Sequence, residues 1–162
     1  SNLIEQLRNI KLIGWTTLIF GALLYISDKC KLERNINTNL NYKSAIYIGL
    51  FQVLSLMPGV SRSGISITAA RFLKFKRFDA AKISFLLSIP TLGAVSMFGL
   101  KNVIFSQEVS ISILNLNSIL LSFIFSFVTI KYFLKYIKNF NLNIFVYYRI
   151  TLGVILLSIA YL

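Results

Sequence analysis

The chain has 162 residues, 56% of them hydrophobic and only 14% charged, with 17 Lys and Arg against 5 Asp and Glu, for a formal net charge of +12. A soluble domain is about 45–50% apolar and about 25% charged, so this composition excludes an ordinary soluble globule, and its wealth of Leu, Ile and Phe excludes a disordered chain. Cys30 is the single cysteine and there is no histidine, which excludes a disulfide scaffold and, within this chain, a Ser-His pair or a His-ligated metal. The positive charge does not read as a nucleic-acid surface, because the basic residues stand in short clusters between long apolar runs.

Taken in order, the first apolar run is Ile10–Ser27, close to the roughly 20 residues that a helix needs to cross a bilayer. A basic loop follows, with Lys29, Lys31, Arg34 and Lys43. The next segment, Ala45–Leu73, is apolar to Met57, breaks at Pro58-Gly59-Val60-Ser61-Arg62-Ser63-Gly64, and resumes as Ile65–Leu73. Each half is too short to span alone. A second basic loop, Arg71–Lys82, precedes the run Ile83–Leu100. The loop Lys101–Ser112 holds one Lys and one Glu. The run Ile113–Leu134, a basic loop Lys135–Asn143 and a final run Ile144–Leu162 complete the chain.

Lys and Arg gather in cytoplasmic loops of membrane proteins. If segment 45–73 crossed the membrane, the first two basic loops would lie on opposite faces. If it enters and returns on one side, the internal loops fall in the order in, in, out, in, and every basic one is cytoplasmic. Arg8 and Lys11, beside Glu5, would then lie outside. The expected fold is an all-α integral membrane protein with four transmembrane helices and a re-entrant helix–loop–helix over 45–73, in a single membrane domain over 1–162. The chain opens on Ser1 without a signal-peptide pattern, so the sequence is expected to begin partway through a longer protein. Irregular backbone at membrane depth needs protein or a polar cavity around it, which places the Pro58–Gly64 loop beside a cavity.

Pro58 stops the first half-helix and Gly59 permits a turn with positive φ. The second half-helix is expected to start near Ser61 to Ser63, with serine as a favoured N-cap. Its first N–H groups lack intrahelical acceptors and carry the positive end of the helix dipole, which makes an anion site. Arg62 adds a planar fork of donors suited to phosphate oxygens, and Ser61, Ser63 and Ser66 add hydroxyls. Close helix packing through Gly64 and Thr68, four apart, is the bland alternative. It leaves an arginine between two serines unexplained, and intramembrane arginines mark functional sites. The spacing is not that of a P-loop. A broken helix is also a transporter device, so a transporter or flippase for an anionic lipid is the alternative function.

Gly49-Leu50-Phe51-Gln52-Val53-Leu54 followed by Pro58-Gly59-Val60-Ser61-Arg62-Ser63-Gly64 resembles the second signature of the undecaprenyl-diphosphatase family of the bacitracin-resistance type. Arg77-Phe78-Asp79-Ala80-Ala81-Lys82-Ile83-Ser84-Phe85-Leu86-Leu87-Ser88-Ile89-Pro90 resembles that family as well, as does Tyr148-Arg149-Ile150 with Gly153. The resemblance implies a multi-pass enzyme of the bacterial cytoplasmic membrane. It would remove one phosphate from undecaprenyl diphosphate, recycling the lipid carrier for peptidoglycan and conferring bacitracin resistance. It also implies inverted repeats whose two re-entrant loops meet at one site, of which this chain would hold one.

The family's functional positions match Ser61, Arg62 and Ser66, a serine where threonine is usual, and these form the candidate catalytic set. Ser63, Gly59, Gly64 and Gln52 form the candidate substrate-binding set. The family's first signature, with paired acidic residues four apart and a serine–histidine stretch, is absent. Those acidic residues would hold the divalent cation, Mg or Ca, that the resemblance implies. The chain is therefore expected to be the C-terminal part of the enzyme, with no metal ligands of its own and inactive alone. The expected partners are a polyprenyl diphosphate lipid and the bilayer, with no nucleic acid; whether the protein is a monomer or a homodimer stays open.

Among the other residues, Gln52 either faces the site or is a buried amide between helices. Arg149, near the start of the last run, is expected to snorkel to the interface, the commoner fate there, with a role in the site as the alternative. Asp79 is expected to cap the helix that follows it, Cys30 to be a free thiol, and Trp15, Tyr25, Tyr47, Tyr132, Tyr136, Tyr147 and Tyr161 to anchor span ends. Single cysteines introduced at positions 35 and 76 should both react with an impermeant thiol reagent from the cytoplasmic side; labelling from opposite sides would refute the re-entrant arrangement.

Overall fold

The computed structural model describes residues 9–105 and 113–162. Arg8, Glu5 and the centre of the loop expected outside lie beyond the described residues. The helices are α1 (Ile10–Asp28), α2 (Ile36–Asn39), α3 (Tyr42–Val53), α4 (Arg62–Phe72), α5 (Arg77–Phe105), α6 (Ile113–Asn139) and α7 (Asn143–Tyr161). No strand is formed among the described residues. Four of the helices are long and apolar enough to cross a membrane: α1, α5 over Arg77–Gly99, α6 over Asn117–Asn139, and α7. The protein is therefore an all-α, multi-pass membrane protein. The helix expected from Ile83 starts at Arg77, so Asp79 lies inside its first turn rather than ahead of it, where its carboxylate still meets the positive end of the helix.

Asparagines start two of the helices. Asn9 accepts a hydrogen bond from the Lys11 N–H at 3.0 Å, and Asn41 accepts from that of Ser44 at 2.9 Å. Each satisfies a donor that the first turn leaves free. The short α2, absent from the sequence reading, is a single turn, held where Asn39 Oδ1 accepts from the Asn35 N–H at 3.1 Å. Helix α4 ends in a Schellman turn. Lys74 adopts a left-handed φ of 67°, its N–H bonds the Arg71 carbonyl at 2.8 Å, and the Phe75 N–H bonds the Ala70 carbonyl at 3.1 Å. That geometry satisfies the last carbonyls of α4 and turns Phe75 fully inward.

Residues on either side of segment 45–73 meet at this turn. Arg34 and Phe75 form a parallel bridge, with the Arg34 N–H on the Lys74 carbonyl at 3.0 Å and the Lys76 N–H on the Arg34 carbonyl at 3.0 Å. The Lys74 ammonium adds a 3.0 Å contact to Glu33, which holds that exposed carboxyl below its ordinary pKa. Chain entering α3 and chain leaving α4 thus lie side by side at one end of the molecule.

Asp28 collects the other elements at the same end. Arg77 forks onto its two carboxylate oxygens at 2.7 and 3.1 Å, and the Leu142 N–H at the head of α7 donates to it at 3.3 Å. Arg71 Nε lies 3.6 Å away, while its guanidinium donates to the carbonyls of Phe75 (2.6 Å), Asp28 (3.0 Å) and Cys30. The basic loops after α1, α4 and α6 are gathered together, and the apolar core of Leu24, Ile67, Phe75, Ile137, Leu142 and Val146 lies among them. Helix α6 contributes little elsewhere: from Asn117 to Tyr132 its side chains are exposed.

Helices α1 and α7 run antiparallel with glycines between them. A Cβ on Gly14 would meet Leu157, one on Gly153 would meet Leu18, and one on Gly21 would lie 3.3 Å from the Arg149 Cβ. Small residues let membrane helices approach closely. Tyr47 and Tyr136, read as interfacial anchors, instead pack into ring clusters with Phe51 and with Phe140 and Phe145. Breaking a buried ion pair by removing one partner costs about 3–5 kcal/mol. Asp28→Ala should therefore lower the unfolding free energy by about that amount in a detergent–denaturant titration, with Asp28→Glu recovering part of it.

Candidate functional site

The break between α3 and α4 is built as its residue types dictate. Helix α3 tightens into a 3₁₀ turn over Leu54–Leu56, and Met57 leaves it in extended conformation. Gly59 takes the turn at φ 88°. Val60 is fully buried. Ser61 then caps α4 with a left-handed φ of 45°, its Oγ accepting from the Gly64 N–H at 3.4 Å. A left-handed conformation in a residue other than glycine stores about 1–3 kcal/mol and clusters at functional sites. The first N–H groups of α4, those of Arg62 and Ser63, have no intrahelical acceptor.

The turn docks on the middle of α1, a helix long and apolar enough to cross a membrane. Thr16 Oγ1 donates to the Pro58 carbonyl at 2.6 Å, and Thr17 Oγ1 lies 3.4 Å from that of Gly59. Thr16 is twelve residues before Asp28, about 18 Å along a helix, against a bilayer core about 30 Å thick. A cavity of about 450 Å³ opens beside it between α1, α4, α6 and α7. Its polar lining includes Thr17, Ser61, Ser63 and Arg149, flanked by Ile13, Leu24, Phe133, Phe145, Leu152 and Leu156.

Arg149 follows the less favoured of its two expected fates. It does not snorkel to the interface. It is 9% exposed and turns inward, its stem packed where Gly21 leaves room and its guanidinium laid over Gly64, where a Cβ would come within 2.8 Å of Cζ. Its Nη1 is buried and bonds to nothing among the described residues. A buried donor left unmade costs about 1–3 kcal/mol, more for a charged group, so the position calls for an anionic acceptor. An arginine in an otherwise apolar span was the available signal; the direction it faces was not readable.

Of the predicted residues, Gly59, Ser61, Ser63 and Gly64 line the cavity. Arg62, Ser66 and Gln52 do not. Arg62 begins α4 half-buried, with no side-chain hydrogen bond or ion pair among the described residues. Ser66 is fully buried and donates to Gln52 Oε1 at 3.2 Å, joining the two half-helices behind the cavity. Gln52 is thus the buried amide between helices. Ser84 of α5 reaches the Ser63 carbonyl at 3.4 Å. No group of three His, Cys, Asp or Glu side chains assembles among the described residues, and no carboxylate lines the cavity. These residues do not fit a divalent cation; the arrangement offers donors to an anion instead.

A family model described as bacitracin resistance protein BacA matches residues 1–155. The undecaprenyl-diphosphatase of Pelagibacter ubique (strain HTCC1062) is 55% identical over 160 residues, covering 99% of this chain and 61% of that protein. Those of Jannaschia sp. (strain CCS1) and Elusimicrobium minutum (strain Pei191) are 39% and 40% identical, covering 97% and 94% of this chain and 59% and 57% of theirs. The chain spans about three-fifths of the length of these curated relatives.

Replacing an unpaired buried charge with an apolar side chain of similar length is neutral or stabilising. Arg149→Met should leave the melting temperature of the unliganded protein level or raised. Inorganic pyrophosphate should stabilise the parent, by about 2–4 °C for each kcal/mol of binding at this size, and should not stabilise the variant. Equal stabilisation of both would remove Arg149 from the anion site.

Proposed function

The chain belongs to the bacitracin resistance protein BacA family, and we propose that it forms the phosphate-binding part of a membrane undecaprenyl-diphosphatase. The reaction adds water across the anhydride of a polyprenyl diphosphate. One P–O bond of the P–O–P bridge breaks, inorganic phosphate leaves, and the lipid monophosphate stays in the bilayer, available again as a carrier for envelope polymers. Loss of this activity would sensitise cells to bacitracin. The curated relatives carry that enzyme's name, which speaks for hydrolysis rather than transport.

The observation that carries the reading is Arg149, a buried cation with an unused N–H over the N-terminus of α4. The cavity has the two chemistries that a lipid diphosphate presents: apolar walls for a prenyl chain and a cluster of cationic and hydroxyl groups for phosphate. Arg149, the first N–H groups of α4 and the hydroxyls of Ser61 and Ser63 would hold the non-bridging oxygens. Phosphoryl transfer spreads negative charge over those oxygens as the bridge opens, and donors fixed in advance stabilise it without reorganising. Arg62 stands beside Ser61 as a second cation for the same group. Ser66 contributes through Gln52 by keeping the half-helices, and so the α4 N-terminus, in place. The attacking oxygen, and the ligands of the Mg or Ca ion that the resemblance implies, are assigned to groups outside this chain.

The Asp28 end, where the basic loops gather, is assigned to the cytoplasm by the positive-inside rule, and the membrane to the bacterial cytoplasmic membrane. Segment 45–73 then enters from the cytoplasmic face and returns to it. In the complete enzyme, Arg62→Ala, Arg62→Lys and Arg149→Lys should each cut kcat for phosphate release by about a hundredfold or more, the loss typical of a transition-state donor, while the protein still inserts. A variant that inserts and keeps its activity would remove that residue from the site.

A further inference from the structure

We infer that Thr16 of α1 is a positioning residue that fixes the Pro58–Ser61 turn, and through it the N-terminus of α4, at the depth and angle the phosphate site needs. This rests on the reading of that site as phosphate-binding. Threonines in membrane helices ordinarily bond back to their own helix, and both Thr16 and Thr17 lie within reach of such carbonyls. The distances separate the two residues. Thr17 Oγ1 is 2.7 Å from the Ile13 carbonyl and 3.4 Å from that of Gly59, so its single proton stays in α1. Thr16 Oγ1 is 2.9 and 3.0 Å from the carbonyls of Leu12 and Ile13 but 2.6 Å from that of Pro58. Its proton goes to the turn.

No backbone N–H among the described residues donates to the Pro58 or Gly59 carbonyl. Among the described residues the hydroxyls of α1 are the donors near these carbonyls, and that of Thr16 is the one on Pro58. There is also no slack in the contact. A side chain on Gly59 would collide with Thr16 Oγ1 and come within 2.7 Å of the Ile13 carbonyl, so the turn can move neither toward α1 nor, without losing its donor, away from it. Three residues after Pro58, Ser61 caps α4. Beyond it, Arg149 of α7 lies on Gly64. The α4 N-terminus is thus set against α1 by Thr16 and against α7 by Arg149.

The test uses the full-length enzyme that contains this chain, with Thr16→Val (same shape, no hydroxyl), Thr16→Ser (hydroxyl kept) and Thr16→Ala in case valine prevents insertion. Two readouts are taken: kcat and KM for a polyprenyl diphosphate, and the labelling rate of a single cysteine at Ser63→Cys in a background with Cys30→Ser and every other cysteine of the full-length enzyme replaced. Misplacement by about an ångström costs on the order of a hundredfold in rate. Removing the hydroxyl should therefore lower kcat by about ten- to a hundredfold with KM changed less than about threefold, and should speed labelling. Serine should restore both. Parent-level kcat and labelling in an inserted valine or alanine variant would overturn the inference, as would a serine variant that behaves like valine. The labelling readout needs no catalysis, so an enzyme that releases no phosphate would count against the functional reading alone and leave the positioning role to be decided by labelling.

Discussion

A backbone that stops being helical inside a bilayer must find its hydrogen-bond partners within the protein, and most of this structure answers that requirement. The turn Pro58–Ser61 is met by the hydroxyl of Thr16, is anchored by the fully buried Val60, and passes its chain into α4 through a capping serine. Helix α1 can serve it because α7 braces α1 from the other side through Gly14, Gly21 and Gly153. The same close approach brings Arg149 inward over Gly64. One constraint on backbone polarity therefore produces both the opening of a cavity and the convergence of donors at its end.

The charge of the chain divides into two populations. Most basic residues are in loops gathered at the Asp28 end. There Asp28 holds Arg77 through a bidentate pair, Arg71 is spent on three backbone carbonyls, and the head of α7 is pinned to the same carboxylate. Arg71 Nε makes no hydrogen bond but lies 3.6 Å from the Asp28 carboxylate; the other groups are paired, and together they fix where the helices start and stop. Arg149 is different: 9% exposed, it has neither a carboxylate nor a backbone carbonyl as partner among the described residues. That contrast distinguishes an arginine used for architecture from one held ready for a ligand, and composition alone does not reveal it.

The spans, the break, the positive φ of Gly59 and the Ser61 cap were legible in the sequence because they depend on local rules: apolar run length, Pro–Gly chemistry and N-cap preference. The orientation of Arg149 was not. An arginine near the end of an all-apolar helix lies next to lipid on one face and protein on another, and only the crossing of α1 and α7 at Gly21 decides which face it takes. Ser66 and Gln52 lie off the cavity lining for a related reason. Helical spacing placed Ser66 one turn beyond the break, but its bond to Gln52 at 3.2 Å depends on how two half-helices fold back on each other. Arg62 carries the strongest local signal, yet the donors lining the cavity come from its neighbours and from a helix almost ninety residues away.

The central claim is that the α4 N-terminus and Arg149 together receive a phosphoryl group. The most direct measurement is an experimental structure of the complete enzyme with a non-hydrolysable methylene analogue of a polyprenyl diphosphate. The account predicts phosphonate oxygens within hydrogen-bond distance of Arg149 Nη1 and of Ser61 or Ser63, with the prenyl chain along the apolar lining of the cavity. A headgroup bound elsewhere, with Arg149 still unpartnered over Gly64, would contradict it.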